Sequence, residues 1–184
     1  GLDRDELRQL LPPAHQAFVD DILQRFGVPD LPEGERPRGM SMNVSPAGYE
    51  PLLDIAFAHP IRLIASALGP PPADVIDRAR AANVKVAALA GTTAHAVKHA
   101  EAGADIIVAQ GSEAGGHTGE VGTMVLVPEV VDAVSPVPVL AAGGVTTGRH
   151  LAAALALGAD GVWTGSLWLA SRESDVNLPM KEKL

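Results

Sequence analysis

The chain has 184 residues, of which 47% are hydrophobic and 20% charged, a size and composition typical of one globular domain with a buried core. Its 14 basic and 22 acidic side chains give a net charge of −8, which repels a phosphate backbone, so we expect no nucleic-acid partner. The chain has no cysteine, which excludes disulfides, thiolate metal sites and a cysteine nucleophile.

The sequence carries neither a membrane-spanning pattern nor an export pattern. Acidic, glycine or proline residues interrupt every apolar run before the roughly 18 residues that a membrane span needs. The first residues include Asp3, Asp5 and Glu6, whereas a secretory signal combines a basic start with an apolar stretch. We therefore expect a cytoplasmic protein without membrane contact, in agreement with the absence of cysteine.

The first sixty residues contain one regular pattern, a predicted amphipathic helix over residues 14–25. Its apolar side is formed by Phe18, Val19, Ile22 and Leu23. Glycine, proline and charged residues dominate residues 27–51, where we predict a loop. Residues 1–60 are thus the irregular and helical N-terminal part of a single domain, 1–184, whose βα units occupy 61–184.

The rest of the chain alternates short apolar runs with alanine-rich helical segments, which predicts βα units and a parallel sheet. The five predicted strands start at Ile61, Val84, Ala104, Val137 and Ala159. Each run is continuously apolar, as is typical of strands covered on both faces. Threonines stand at two predicted helix starts and glycines at two helix ends: Thr92, Thr93, Thr146, Thr147, Gly103 and Gly158.

One βα unit is longer than the others. The predicted strand starts are separated by 23, 20, 33 and 22 residues, so about ten residues are inserted after the strand that ends near Gln110. Loops at the carboxyl ends of parallel strands build the active sites of α/β proteins. The insertion therefore marks the functional face of the predicted sheet.

The inserted loop, QGSEAGGHTGEVGT over residues 110–123, has the character of an active-site loop. Its glycines allow the backbone to approach a ligand, and His117 is its only imidazole. The alternative is a flexible surface loop with a solvated histidine, and the position at a strand end favours the site. Glu113 could be an acid, a loop anchor or a solvated charge.

Two neighbouring strand ends carry a pattern typical of phosphate binding. Gly143 and Gly144 follow the fourth predicted strand just before a helix start, where free backbone N–H groups attract an anion. The fifth strand ends in Thr164-Gly165-Ser166. Many (β/α)8 barrels bind phosphate with the loops after their last two strands. The alternative is that these glycines only permit tight turns.

Other patterns are weak. His95 and His99 are four residues apart on a predicted helix, but no glutamate follows His95 and no third ligand is apparent, so we expect no metal. The chain contains neither G-x-G-x-x-G nor a Gly-Lys-Ser/Thr phosphate loop. His15, His59 and His150 have no organised surroundings in the sequence.

The runs ADIIVAQGSEAGGHTG and VPVLAAGGVTTGRHLAAALALGADGVWTGSLWLAS resemble the nitronate monooxygenase family, formerly called 2-nitropropane dioxygenases. The resemblance covers about residues 61–184, and the flavin-dependent enoyl-carrier-protein reductases share much of the same pattern. It implies an FMN-binding α/β fold of the (β/α)8 TIM-barrel type. It also implies the oxidation of small alkyl nitronates with O2 as the activity.

The resemblance also implies roles for individual residues. His117 lies near the reactive edge of the flavin and assists substrate binding or proton transfer, whereas Gly143 and Gly144 hold the FMN phosphate. Thr164-Gly165-Ser166 stands where the family more often has Met-Gly-Thr, which keeps the backbone donors. The residues expected to contact FMN are Gln110, Gly111, Gly115, Gly116, Gly143, Gly144, Trp163, Thr164, Gly165 and Ser166.

By resemblance, the five strands correspond to the fourth through eighth strands of an eight-stranded barrel. The family's first strand and the flavin-contacting asparagine of its third strand have no counterpart, and Asn43 is not a convincing substitute. Such an open sheet leaves unpaired edges and apolar faces, which favours a homo-oligomer. Two alternatives stay open: an enoyl-carrier-protein reductase that uses a nicotinamide donor, and a non-catalytic remnant that binds a phosphate-bearing ligand.

Overall fold

The computed structural model describes residues 10–29 and 46–183. The chain divides into two compact units, residues 1–59 and 60–184. The boundary lies within one residue of the predicted start of the βα units. Among the described helices, none is both long and apolar enough to cross a membrane.

The described part of the first unit consists of helices α1 (Pro13–Arg25) and α2 (Pro46–Phe57). The predicted amphipathic helix is confirmed as α1, and proline at its first position has the φ angle that a helix start requires. Its apolar side chains are exposed: Phe18, Val19 and Leu23.

Helix α2 corrects part of the predicted loop, because its first turns overlap residues 27–51. Pro51, the last residue of the predicted loop, lies inside α2. The apolar residues that follow it, Leu52 and Ile55 among them, continue the helix. Residues 30–45 of the predicted loop, Asn43 among them, lie outside the described residues.

The second unit contains a parallel sheet whose five strands follow one another in chain order. The strands are β1 (Leu63–Ser66), β2 (Lys85–Ala90), β3 (Ile106–Gln110), β4 (Val139–Ala142) and β5 (Gly161–Trp163). Each begins within two residues of its predicted start. The order never reverses, which distinguishes an arc of a (β/α)8 barrel from a doubly wound sheet. The predicted fold class is therefore confirmed.

Helices connect the strands and cover one face of the sheet. They are α3 (Ala73–Ala81), α4 (Thr93–Glu101), α5 (Thr123–Val134), α6 (Gly148–Ala156) and the short helices α7 (Ser166–Leu169) and α8 (Leu178–Lys181). The largest side chains buried between helices and sheet are Ile107, Leu126, Val127, Val130 and Val139. This interface is the core of the unit.

The opposite face of the sheet is less covered. A small cluster centred on Ala87, Val108 and Ala142 includes half-buried Leu140 and Trp163. Alternate side chains of a barrel strand point inward, so this face corresponds to the interior of a barrel. The sequence predicts cover on both faces; within the described residues the inner face buries Ala87, Val108 and Ala142, while Leu140 and Trp163 are half-buried.

A repeated device fixes the amino ends of β3 and β5. Gly103-Ala104-Asp105 and Gly158-Ala159-Asp160 each end a helix with a glycine at positive φ, 99° and 95°. The aspartate then accepts a hydrogen bond from a backbone N–H of the preceding strand, at 2.9 Å in both cases. The donors are the N–H groups of Val86 and Val139. Each carboxylate thus locks its strand to its neighbour.

Candidate active site

The carboxyl ends of β2 to β5 surround a cavity of about 470 Å³, which we call the first cavity. This volume lies within the range of roughly 300–1,000 Å³ that is typical of cofactor and ligand sites. Its lining residues are Leu89, Gln110, Glu113, Ala114, Gly115, Ala142, Gly143, Gly144, Val145, Thr146, Trp163, Thr164, Gly165, Ser166 and Leu169.

Eight of the ten residues expected to contact FMN line this cavity together. They are Gln110, Gly115, Gly143, Gly144, Trp163, Thr164, Gly165 and Ser166. The other two, Gly111 and Gly116, are not among its lining residues. A Cβ at Gly111 would lie 2.5 Å from the backbone nitrogen of Thr123, so close packing requires this glycine. Gly116 has a φ of +81° with open space around it.

Gly143 and Gly144 form a turn that only glycine adopts without strain, with φ angles of +110° and +68°. A Cβ at Gly143 would also lie 2.7 Å from the hydroxyl oxygen of Thr123. The backbone N–H groups of Gly144 and Val145 donate to no other group in the described part of the chain. Free donors in a glycine turn ahead of helix α6 suit an anion.

Glu113 anchors the inserted loop. Its Oε2 accepts hydrogen bonds from the backbone N–H and the hydroxyl group of Thr123, both at 2.8 Å. The Thr123 N–H bond lowers the pKa of Glu113 most, because it stabilises the carboxylate. Thr123 is the first residue of α5, so an anion sits at a helix amino terminus. Of the three roles left open by the sequence, the hydrogen bonds support the loop anchor.

Gln110 and Trp168 order two further parts of the wall. The side-chain amide of Gln110 donates to the carbonyl of Gly115 at 3.1 Å, which ties the loop back to the end of β3. The indole N–H of Trp168 donates to the hydroxyl oxygen of Thr164 at 2.8 Å. Trp163 itself belongs to the inner cluster of the sheet.

His150 has a structural role that the sequence did not suggest. Its Nδ1 accepts hydrogen bonds from the backbone N–H groups of Thr146 and Thr147, at 3.0 and 3.3 Å. Thr147 is the N-cap of α6 and His150 is its third residue, the position of the second partner in a capping box. Thr-x-x-His is an unusual form of that motif, and it holds the turn beside Gly144.

His117 does not line the first cavity. It is exposed and lines a second cavity of about 440 Å³, which shares Leu89 and Gln110 with the first. The imidazole therefore stands beside the predicted flavin site, across the Gln110 wall. Sequence reasoning missed Leu89, although its position near the end of β2 was a signal for it.

His95 and His99 lie on one side of α4, with ring centroids 6.4 Å apart. His99 is buried, and its Nε2 lies 3.0 Å from the carbonyl oxygen of Leu89, to which it donates. Burial lowers the pKa of His99, since desolvation disfavours its charged form. Among the described residues, no group of three potential ligands could hold a metal ion.

Comparisons with known proteins agree with the fold. The sequence profile of the family "Nitronate monooxygenase" matches residues 33–184. A Mycobacterium tuberculosis protein named "Putative monooxygenase Rv1533" is 61% identical over all 184 residues, which cover 49% of its length. FabK from Thermotoga maritima has a similar structure, with a TM-score of 0.69 and 39% identity over 77% of this chain and 44% of that one.

A nitroalkane oxidase from Streptomyces ansochromogenes is also similar in structure, with a TM-score of 0.69 and 36% identity. The match covers 73% of this chain and 42% of that protein. The chain thus spans about half the length of the curated relatives it matches.

Proposed function

Because the chain belongs to the nitronate monooxygenase family, we propose that it binds FMN in the first cavity and serves the oxidation of alkyl nitronates with O2. The observation that carries the proposal is the pair of strand ends, after β4 and β5, that line one cavity. Gly143 and Gly144 contribute positive-φ turns there, and Thr164, Gly165 and Ser166 face them.

These residues fit the cofactor on structural grounds. The free N–H groups of Gly144 and Val145 suit the phosphate, and the volume suits a cofactor of this size class. Leu89 and Trp163 add apolar surface for a flat ring system. When bound, FMN supplies the electron acceptor for the substrate. No metal is part of the proposal.

The side chains of the protein then bind and orient the substrate. Gln110 stands between the two cavities and holds the loop through the carbonyl of Gly115. His117, on the same loop, is placed to donate a hydrogen bond to an anionic nitronate or to move a proton. Glu113 holds the loop against the start of α5 through its two hydrogen bonds from Thr123.

The alternative activity, enoyl-carrier-protein reduction, is supported by the similarity to FabK from Thermotoga maritima. Its distinguishing requirement is a nicotinamide donor. Oxidation of NAD(P)H in the presence of FMN, without oxidation of nitronates, would favour that branch.

The test is a visible absorbance spectrum of the gel-filtered chain, followed by an assay for FMN in the supernatant after denaturation. We expect a flavin band, retained in Gly27→Asp and lost in Gly144→Asp. Both glycines have positive φ with room around them, so the backbone strain of the substitution is matched. Only Gly144→Asp places a carboxylate beside the phosphate donors.

A colourless protein that stays colourless after incubation with FMN would contradict the proposal. That result would favour the non-catalytic remnant, which binds a phosphate-bearing ligand without redox activity. Full FMN content in Gly144→Asp would contradict the position of the phosphate.

A further inference from the structure

The second cavity has walls of its own at the carboxyl ends of β1 and β2. They are the turn at residues 67–70, the end of β2 at Gly91, one side of α4 and residues 117–119 of the inserted loop. Leu89 and Gln110 belong to both cavities, so the two adjoin. A ligand bound in the first cavity can therefore extend past Gln110 into the second.

The ionisable side chains that line the second cavity are all lysine or histidine. They are His95, Lys98, His99 and His117, and no aspartate or glutamate is among the described lining residues. This is notable in a chain of 22 acidic side chains and net charge −8. Exposed Lys98 forms no ion pair within the described residues, unlike Lys85, which pairs with Asp105. An ammonium group without a counter-ion suits an anionic ligand.

Close packing fixes the loop side of this cavity. A Cβ at Gly91 would lie 2.5 Å from the backbone nitrogen of Gly119, so the two backbones touch where the loop crosses the end of β2. Only glycine at both positions allows this approach. Residues 117–119 are thereby held over the cavity.

His99 fixes the helix side. It is 3% exposed, and its bond to the Leu89 carbonyl joins α4 to the wall that both cavities share. Its Nδ1 is buried and has no partner in the described chain. The ring of exposed His95 stacks on that of His99 with an interplanar angle of 29°, which orients it at the cavity. Both walls are thus organised without a ligand.

We propose that the second cavity binds an anionic group, a carboxylate or a phosphate, at the non-reacting end of the substrate. Lys98 supplies the positive charge, and His95 donates a ring N–H group. The inference rests on the proposed function for the position of the reacting end, which lies in the first cavity. It makes Lys98 a determinant of substrate specificity.

Binding is tested first without turnover. Isothermal titration calorimetry with inorganic phosphate and with malonate compares the unmodified chain with Lys98→Met and Lys183→Met. Methionine keeps the length of the side chain and removes its charge, and exposed Lys183 lines neither cavity. We expect Lys98→Met to weaken anion binding at least tenfold and Lys183→Met to leave it unchanged.

The two probes separate the sources of the anion. A larger loss of phosphate binding in Lys98→Met assigns the cavity to a phosphate-bearing substrate, and a larger loss of malonate binding assigns it to an organic acid. If neither anion binds, or if Lys98→Met binds both as well as the unmodified chain does, the proposal is overturned.

Turnover provides the second readout. The ratio of kcat/KM for propionate 3-nitronate to that for propyl 1-nitronate is expected to fall about tenfold in Lys98→Met, because only the first carries a carboxylate. An unchanged ratio in an active, flavin-containing variant overturns the anion subsite and leaves the proposed function intact. A colourless chain that still binds phosphate through Lys98 contradicts the proposed function and leaves the subsite intact.

Discussion

His117 is an exposed side chain on a loop that is held at both ends, so its removal should affect chemistry more than folding. We predict that His117→Ala lowers kcat by roughly a hundredfold or more, the usual size of a lost acid–base group. FMN content should not change, because the glycine turns hold the phosphate. Steady-state kinetics together with the absorbance ratio of flavin to protein measures both.

The matched control for that experiment is His15→Ala, an exposed histidine on α1. Equal turnover in His117→Ala and in the unmodified chain would refute the assigned role. Loss of flavin in His117→Ala would instead mean that this imidazole contributes to cofactor binding.

His99 makes stability depend on pH. Burial lowers its pKa below 6.5, so above that pH the side chain is neutral in both the folded and the unfolded chain. As the pH falls below 6.5, the unfolded chain takes up the proton first, and the free energy of unfolding decreases. We predict a larger loss between pH 7.5 and 5.5 for the unmodified chain than for His99→Gln.

Glutamine is the suitable replacement because its amide can still donate to the Leu89 carbonyl without gaining charge. Urea unfolding at the two pH values measures the difference. Identical pH dependence of the two proteins would show that His99 is not the group responsible.

The residues that sequence reasoning recognised are those whose role follows from local backbone chemistry. Gly143 and Gly144 predict a turn by composition alone, and both have the positive φ that this implies. The roles of Glu113 and His150 were harder to predict, because each side chain bonds to the start of a helix. Glu113 bonds to a helix start ten residues away, and His150 bonds to the start of its own helix through an unusual capping motif. A carboxylate that bonds across a loop leaves no periodic signal.

At the level of the secondary-structure elements, the Gly-Ala-Asp motif joins two neighbouring strands. Asp105 accepts from the N–H of Val86, and its other oxygen lies 2.7 Å from the ammonium of Lys85. Burial alone would raise the pKa of Asp105, but these hydrogen bonds outweigh it and lower the pKa. Asp160 bonds Val139 in the same way at the start of β5.

We predict that Asp105→Ala and Asp160→Ala each lower the free energy of unfolding by about 1–3 kcal/mol, because each leaves a part-buried backbone N–H without its acceptor. Asp132→Ala, on the exposed side of α5, should cost no more than about 0.5 kcal/mol. Chemical denaturation measures all three. Similar losses of unfolding free energy in Asp105→Ala and Asp132→Ala would contradict the role of Asp105 in joining the two strands.

The helices and strands show which elements a single sequence is sufficient to predict. Continuous apolar runs located all five strands, because a strand packed under helices needs them along its whole length. Helix α2 was missed over its first turns, since proline removes a hydrogen bond and so weakens the helical pattern. The helix nevertheless continues through Pro51, which propensity at one position does not reveal.

At the scale of the whole chain, the described strands give β1 and β5 a neighbour on one side only. Leu63 on β1 is 36% exposed, and Leu140 and Trp163 in the inner cluster of the sheet are half-buried. Unpaired edges beside apolar surface promote association between chains. We predict that light scattering on the purified chain gives a multiple of its 19.0 kDa mass. A monodisperse monomer at high concentration would contradict this prediction.

The parallel sheet and its five strands could be predicted at this scale from the spacing of the apolar runs, whereas the barrel type followed from the resemblance to the family. The separation of His117 from the first cavity could not, because it depends on how the inserted loop crosses the end of β2. That path is set by the contact of Gly91 with Gly119, two residues that are 28 positions apart.

The two attachments of the inserted loop, Glu113 on Thr123 and Gly119 on Gly91, leave residues 114–118 as a tip between fixed posts. Such a tip is a short segment whose two ends are fixed by contacts outside it. Substitutions in this tip change the groups that the loop presents between the two cavities, His117 among them, while the two attachments stay in place.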